Sequence, residues 1–429
     1  MSLGRATITN LISQFASLAT TFLSGVIIAR TLGTSGKGTY SVVVLTHAFA
    51  VLIGNLGVPI FVASNIGKRR HSVDALLRNS FFLFTSSTVL LVCMFLAFRG
   101  WLGHLGQLGP FFGLLVVVIP LGFLREHLAA FLQGLNKIGR FSLTRVCGQI
   151  ITLFLLIVFL LNRPGIWTAF YCWAAGEAVS LAVTLALVWP FAAPGISFSP
   201  SLLKESLRFG GAVWVGSLVG MANLRLDLYL VAYFLGASAA GLYSVAATIS
   251  IVLLYLPYAM GIALLPRFSS ATPEESYALT SRACRMALLW GVGCAVILVA
   301  VGGAFIRAVY GSAFSPSVRA MMILLPGTVL YGLSYVTSAY FTGFAERPGI
   351  NAALIAISLV VGIGLDLILI PAFGIAGASL ASSVAYMISM LVTLAVFARV
   401  SGRTPVALLA VQKNDLSELG RFVSRIFRG

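Results

Sequence analysis

Charge is scarce in this sequence. Of its 429 residues only 9% are Asp, Glu, Lys or Arg, and just 11 are acids, against roughly 25% charged residues in a soluble domain. That deficit excludes a water-soluble or a disordered chain. The five cysteines, Cys93, Cys147, Cys172, Cys284 and Cys294, show no paired spacing, so neither a disulfide framework nor a zinc site is expected. Four histidines without a His-x-x-x-His pattern add no metal centre, and neither a catalytic set nor a cofactor motif is read. A Gly-x-x-x-x-Gly-Lys-Ser/Thr loop is missing, which argues against nucleotide hydrolysis by this chain. No hydrophilic stretch is long enough to fold as a domain. The work is therefore expected inside a bilayer.

Apolar residues make up 59% of the chain, in runs long enough to cross a hydrocarbon core of about 30 Å as helices. Twelve spans are predicted, at 6–29, 39–64, 79–98, 110–133, 143–162, 166–190, 209–234, 241–265, 285–308, 318–343, 349–370 and 375–398. The first outlasts a secretory h-region and lacks a small-residue cleavage site, so it is expected to be retained. The net charge of +17 does not point to nucleic acid. Lys and Arg concentrate on alternate connectors, most densely at Lys68, Arg69, Arg70 and Arg78. Positive-inside asymmetry then puts both termini in the cytoplasm and the basic connectors against anionic lipid headgroups. Beyond Asn414, a candidate N-cap, Leu416, Leu419, Phe422, Val423, Ile426 and Phe427 share one helical stripe, with Arg421, Arg425 and Arg428 off it. A basic interfacial helix on the cytoplasmic face is expected there.

Two short stretches repeat. "ARTLGTSGKGTY" begins at Ala29 and "AYFLGASAAGLY" at Ala232, both followed by Ser-Val. At that offset of 203 residues, Leu32, Gly33, Gly38 and Tyr40 match Leu235, Gly236, Gly241 and Tyr243. A second match lies at an offset of 209, pairing Gly134 with Gly343 and "GIWTA" at Gly165 with "GIAGA" at Gly374. The chain therefore reads as an all-α membrane protein of two six-helix bundles, 1–200 and 201–400, followed by a basic tail at 401–429. Six is even, so both halves enter the membrane the same way round, and a parallel repeat about the membrane normal is expected. A central cavity between the halves is the expected substrate site. Gly33, Gly38, Gly236 and Gly241 are candidate hinges.

The motif "ARTLGTSGKGTYSVVV" resembles the opening signature of the polysaccharide biosynthesis flippases, within the multidrug/oligosaccharidyl-lipid/polysaccharide exporter superfamily. "GFAERPGINAALIAISLVVGIGLDLILIPAFGIAGASLASSVAYMI", from Gly343, is similar to that family's pattern from span 10 to span 12, although Asp366 stands where the family more often has Asn. The resemblance implies two six-helix bundles forming a V. It also implies movement of a lipid-linked glycan, usually on undecaprenyl diphosphate, between leaflets of a bacterial cytoplasmic membrane. Polysaccharide polymerase or export machinery would be a partner. A small-molecule exporter of the multidrug and toxin extrusion type shares the twelve-span plan, but span 1 here carries no acid to couple ions. A membrane-embedded glycan polymerase would need a sizeable outer loop, and none is present.

Ionisable residues within spans cost roughly 2.5–3.5 kcal/mol each on insertion scales, so each requires a reason. Arg125, Arg225 and Arg145 are candidate phosphate ligands, because the planar guanidinium fork matches phosphate oxygens and stays charged. Arg145, near a span end, is also able to snorkel. Asn10, Gln14 and Asn223 are candidates for sugar hydroxyls, and equally for interhelical contacts. Glu126, Glu177, Asp227 and Asp366 are candidates for ion coupling or for closed pairing with the arginines. Arg125 and Glu126 lie about 100° apart around a helix, and Arg225 and Asp227 about 200°. Neither pair is therefore expected to neutralise itself. Asp366 is expected to reach the outer interface.

Overall fold

A computed structural model describes residues 3–68, 72–97, 108–191, 199–268, 270–412 and 415, and every regular element among them is a helix. In the first half these are α1 (Leu3–Asn55), α2 (Val58–Lys68), α3 (Val73–Ala97), α4 (Phe112–Gly134), α5 (Ile138–Leu155) and α6 (Ile166–Val188). In the second half they are α7 (Pro200–Ser250), α8 (Tyr255–Phe268), α9 (Pro273–Tyr310), α10 (Pro316–Gly343), α11 (Pro348–Phe373) and α12 (Ile375–Ser401). The halves repeat each other in plan: a helix of 53 residues followed by one of 11, then a helix of 51 followed by one of 14.

Local sequence sets the boundaries. Proline opens α7, α9, α10 and α11, where its missing N–H and fixed φ suit the first helical turn. At α9 the Thr272 hydroxyl accepts from Glu275 N at 3.3 Å, and the Glu275 carboxylate accepts from Thr272 N at 2.9 Å, a reciprocal capping box. Ten helical stretches are long and apolar enough to cross a membrane. Two of them, Ser13–Asn55 and Pro200–Phe268, hold two crossings each. α1 breaks at Gly33 (φ 68, ψ −167) and α7 at Gly236 (φ 82, ψ −178), which accounts for the twelve predicted spans.

The chain divides into two compact units. The first comprises residues 1–221 with 236–241, and the second 222–235 with 242–429. The division thus falls inside α7. Apolar helices in lipid gain little from hiding apolar surface, so small residues and interhelical hydrogen bonds carry the association. In the first unit Gly148 of α5 meets the Gly176 backbone of α6, and Ser180 Oγ donates to the Thr144 carbonyl. The indole N–H of Trp214 donates to the Leu52 carbonyl at 2.7 Å. In the second unit Ser383 of α12 donates to the Ile323 carbonyl of α10 at 2.5 Å, and Ser389 to the Leu354 carbonyl of α11 at 3.3 Å.

The described part of the segment after α12 packs onto the second unit. Leu408 is fully buried beside Phe397 and Tyr340 of that unit's core. Tyr277 donates to the Thr404 carbonyl at 2.8 Å. Arg285 holds Asp415 through Nε at 2.6 Å and Nη2 at 3.3 Å, while its Nη1 donates to the Ala407 carbonyl at 3.0 Å. The predicted interfacial helix at 416–429 lies outside the described residues.

Candidate functional site

Each unit carries its own cluster of polar groups at membrane depth. In the first unit, α4 presents Arg125 and Glu126, and α6 presents Glu177. Arg125 Nη2 lies 3.0 Å from Glu126, and Nε lies 3.4 Å from Glu177. The pairing of Arg125 with Glu126 corrects the expectation from helical angles. A 100° separation fixes where Cβ atoms point, but an arginine has enough rotatable bonds to curl back onto its neighbour. One cation now faces two carboxylates, which leaves the cluster an excess acid. Around it, Gln149 donates to Thr21 at 3.5 Å. His47 stands edge-on to Trp173, with ring centroids 5.0 Å apart. Tyr40 stacks on Phe170 at 5.4 Å and lies within electrostatic reach of Glu177.

In the second unit the acid is Asp227 of α7, which accepts from its following amide, Leu228 N, at 2.7 Å. Tyr243 Oη and Ser382 Oγ of α12 also donate to it, the latter at 3.2 Å. Asp366 of α11 is buried, and its Oδ1 has no hydrogen-bond partner. Its predicted place at the outer interface is thereby corrected: α12 and α7 cover it. Between the two carboxylates is a cavity of about 20 Å³ lined by Asn223, Asp227, Ser358, Asp366, Ser382 and Tyr386, among others. That volume suffices for one water or one bare cation. Ser358 Oγ, buried in the same place, is also without a partner.

The remaining predicted residues separate clearly. Arg225 has no counter-carboxylate within ion-pair distance among the described residues, in contrast to Arg125. Arg145 is exposed and lies over the Phe141 ring at 5.9 Å. Asn223 donates to Tyr331 Oη at 3.2 Å, and its carbonyl accepts from Tyr386 at 3.3 Å. Gln14 is exposed. Asn10 lies in α1, its side chain outside the described residues. Gly33 and Gly236 sit at the two breaks, whereas Gly38 and Gly241 are helical. A Cβ on Gly38 would run into the Ala237 carbonyl, and one on Gly241 into that of Thr34. The Thr34 and Ser238 hydroxyls bond at 2.7 Å. The first two glycines supply a conformation and the second two permit close approach.

Tyr40 and Tyr243 are the residues that sequence reasoning missed. Both belong to the repeated motif, and each stands by the acid of its own unit. The signal lies in the sequence as a tyrosine matched at one offset, inside a motif whose glycines dominate its reading as a hinge.

The family described as polysaccharide biosynthesis protein matches this chain over residues 3–272. A putative O-antigen transporter of Shigella flexneri is 22% identical over 383 residues, 85% of this chain and 90% of that protein. A probable low-salt glycan biosynthesis flippase of Haloferax volcanii is 22% identical over 409 residues, 91% of this chain and 82% of that one. Among solved structures, the lipid II flippase MurJ in an inward closed conformation superposes with a TM-score of 0.81 at 17% identity. That match covers 98% of this chain and 93% of that one. An inward-facing multidrug resistance transporter of the MATE family gives 0.75 at 18% identity, covering 92% and 98%. These likenesses establish the fold.

Proposed function

The chain belongs to the polysaccharide biosynthesis protein family, and from that premise we propose that it is a flippase for a polyprenyl-diphosphate-linked oligosaccharide. It moves this cargo by alternating access from the cytoplasmic to the outer leaflet of a bacterial cytoplasmic membrane, with both termini cytoplasmic, for assembly of a surface polysaccharide. Polymerase or export machinery takes the product. The names of the two curated relatives, an O-antigen transporter and a glycan biosynthesis flippase, support this reading.

The observation that carries the cargo class is Arg225. An arginine at membrane depth costs about 2.5–3.5 kcal/mol, and Arg225 has no contact ion pair among the described residues: Asp227, which is within its electrostatic reach, is hydrogen-bonded to Tyr243, Ser382 and Leu228 N instead. A passing diphosphate pairs with it, in a bidentate geometry that a neutral or cationic drug cannot match. Arg125 plays a different part because Glu126 and Glu177 already hold it. That cluster, with its excess acid, and the Asp227–Asp366 cavity are proposed to take up the coupling proton or cation. Gln14 and Asn10 are proposed to meet sugar hydroxyls.

The test is genetic. Deletion in the native host should abolish the surface glycan and leave its lipid-linked unit on the cytoplasmic side. Complementation with Arg225→Ala, at normal membrane abundance, should restore roughly a tenth or less of wild-type export, the loss of one charge-assisted contact. Full export by Arg225→Ala would remove the phosphate role.

A further inference from the structure

Tyrosine is concentrated in one region of the second unit. Tyr331 stacks on Tyr386 with centroids 4.5 Å apart, meets Tyr335 edge-on at 5.9 Å, and Tyr335 meets Tyr258 edge-on at 5.4 Å. The chain of rings starts at Asn223, which donates to Tyr331. It ends at rings that are open on one side: Tyr258 is 46% exposed and Tyr255, one turn earlier on α8, is 41% exposed.

Tyrosines in membrane proteins usually sit in belts at headgroup level, where the hydroxyl reaches water and the ring rests in lipid. These do not. Tyr258 lies ten residues before the end of α8 at Phe268, and Tyr335 eight before the end of α10 at Gly343. At 1.5 Å per residue that is about 15 and 12 Å of helix. The hydroxyls of Tyr255, Tyr258 and Tyr335 have no hydrogen-bond partner among the described residues. In hydrocarbon an unmatched hydroxyl costs energy each time, and phenylalanine, with 30 copies in this chain against 13 tyrosines, would fill the same space without that cost. Tyr255 is also within electrostatic reach of Arg225. A surface that carries a guanidinium without a contact ion pair faces water or cargo, because facing acyl chains would leave the charge unsolvated.

What such a surface recognises follows from its chemistry. A pyranose ring has a face of C–H groups and a rim of hydroxyls. A tyrosine ring offers an apolar π-face with a hydroxyl at its edge, and the Asn223 amide oxygen is a further acceptor. We propose that Tyr255, Tyr258 and Tyr335 form a saccharide platform, on which sugar rings of the cargo stack while Arg225 holds its phosphate. The inference rests on the flippase reading above and names the part of the cargo that each residue meets.

The experiment uses the deletion host complemented with full-length variants, reading surface glycan and the lipid-linked unit retained on the cytoplasmic side. Tyr258→Ala and Tyr335→Ala should each lower export roughly tenfold at normal membrane abundance, the loss of one stacking contact. Tyr258→Trp, which keeps a π-face, should restore export, and Tyr258→Leu, which keeps only apolar bulk, should not. If either alanine variant is poorly inserted, the Trp and Leu pair at matched abundance decides. Equal export by the two, or wild-type export by the alanine variants, overturns the platform and leaves the flippase reading standing. Failure of the wild-type gene to restore surface glycan would instead overturn the flippase reading itself.

Discussion

Arg125 and Arg225 are alike in sequence: each is a membrane-depth arginine with an acid one or two positions later. Their surroundings make them opposites. Arg125 is clamped by Glu126 at 3.0 Å and Glu177 at 3.4 Å, whereas the acid near Arg225, Asp227, spends its lone pairs on Tyr243, Ser382 and its own helix. Removing the cation from a mostly buried triad leaves two unpaired carboxylates. Arg125→Ala should therefore cost about 2–3 kcal/mol, discounted because Glu126 is 33% exposed. Thermal unfolding of the detergent-solubilised protein checks this. Adding Glu126→Gln and Glu177→Gln to Arg125→Ala should recover most of the loss, and a triple variant no more stable than the single one would refute the triad's role.

At the scale of elements, the two breaks are the most informative feature. Gly33 and Gly236 combine positive φ with ψ near 180°, a region closed to residues bearing a Cβ. Alanine at either should cost about 1–3 kcal/mol through backbone strain alone, since a Cβ at both positions meets open space. The measurement is the unfolding midpoint of each variant, and an unchanged midpoint in both would argue that the breaks are not fixed. The segment after α12 makes a second case. Hydrogen bonds from Arg285 hold the Asp415 carboxyl below its ordinary value of 3.8. A lowered folded value means that the clamp contributes above pH 3.8 and is lost as pH falls through the lowered value. Hydrogen exchange at residues 403–412, corrected for intrinsic rates, should stay slow from pH 5 to 8. It should speed up in Asp415→Asn throughout that range, because a buried Arg285 then lacks its charge partner.

For the whole molecule, the internal repeat extends beyond helix count to chemistry. Each half places a motif tyrosine near an acid, Tyr40 by Glu177 and Tyr243 by Asp227, yet the acids have different company. The first is neutralised in part by Arg125; the second shares a cavity of about 20 Å³ with Asp366. If that cavity takes up the coupling proton or cation, Asp366→Asn proteoliposomes should still bind the lipid-linked cargo. They should no longer respond to an imposed proton or sodium gradient, and an undiminished response would exclude the cavity from coupling.

The sequence by itself determined the membrane class, the twelve crossings and the duplication, and it narrowed the helix breaks to four motif glycines, of which the structure uses Gly33 and Gly236. These follow from run length, charge sparsity and short motifs, all of which act within one or two helical turns of chain. It also nominated the intramembrane acids and arginines as candidates, because few ionisable residues survive in such a composition. Only tertiary structure decided their partners. Whether Arg125 meets Glu177, or Asp366 lies beneath α12 rather than at the interface, depends on side chains from helices tens to hundreds of residues apart. Helical periodicity constrains the direction of a Cβ but carries no information on what a neighbouring helix brings to meet it.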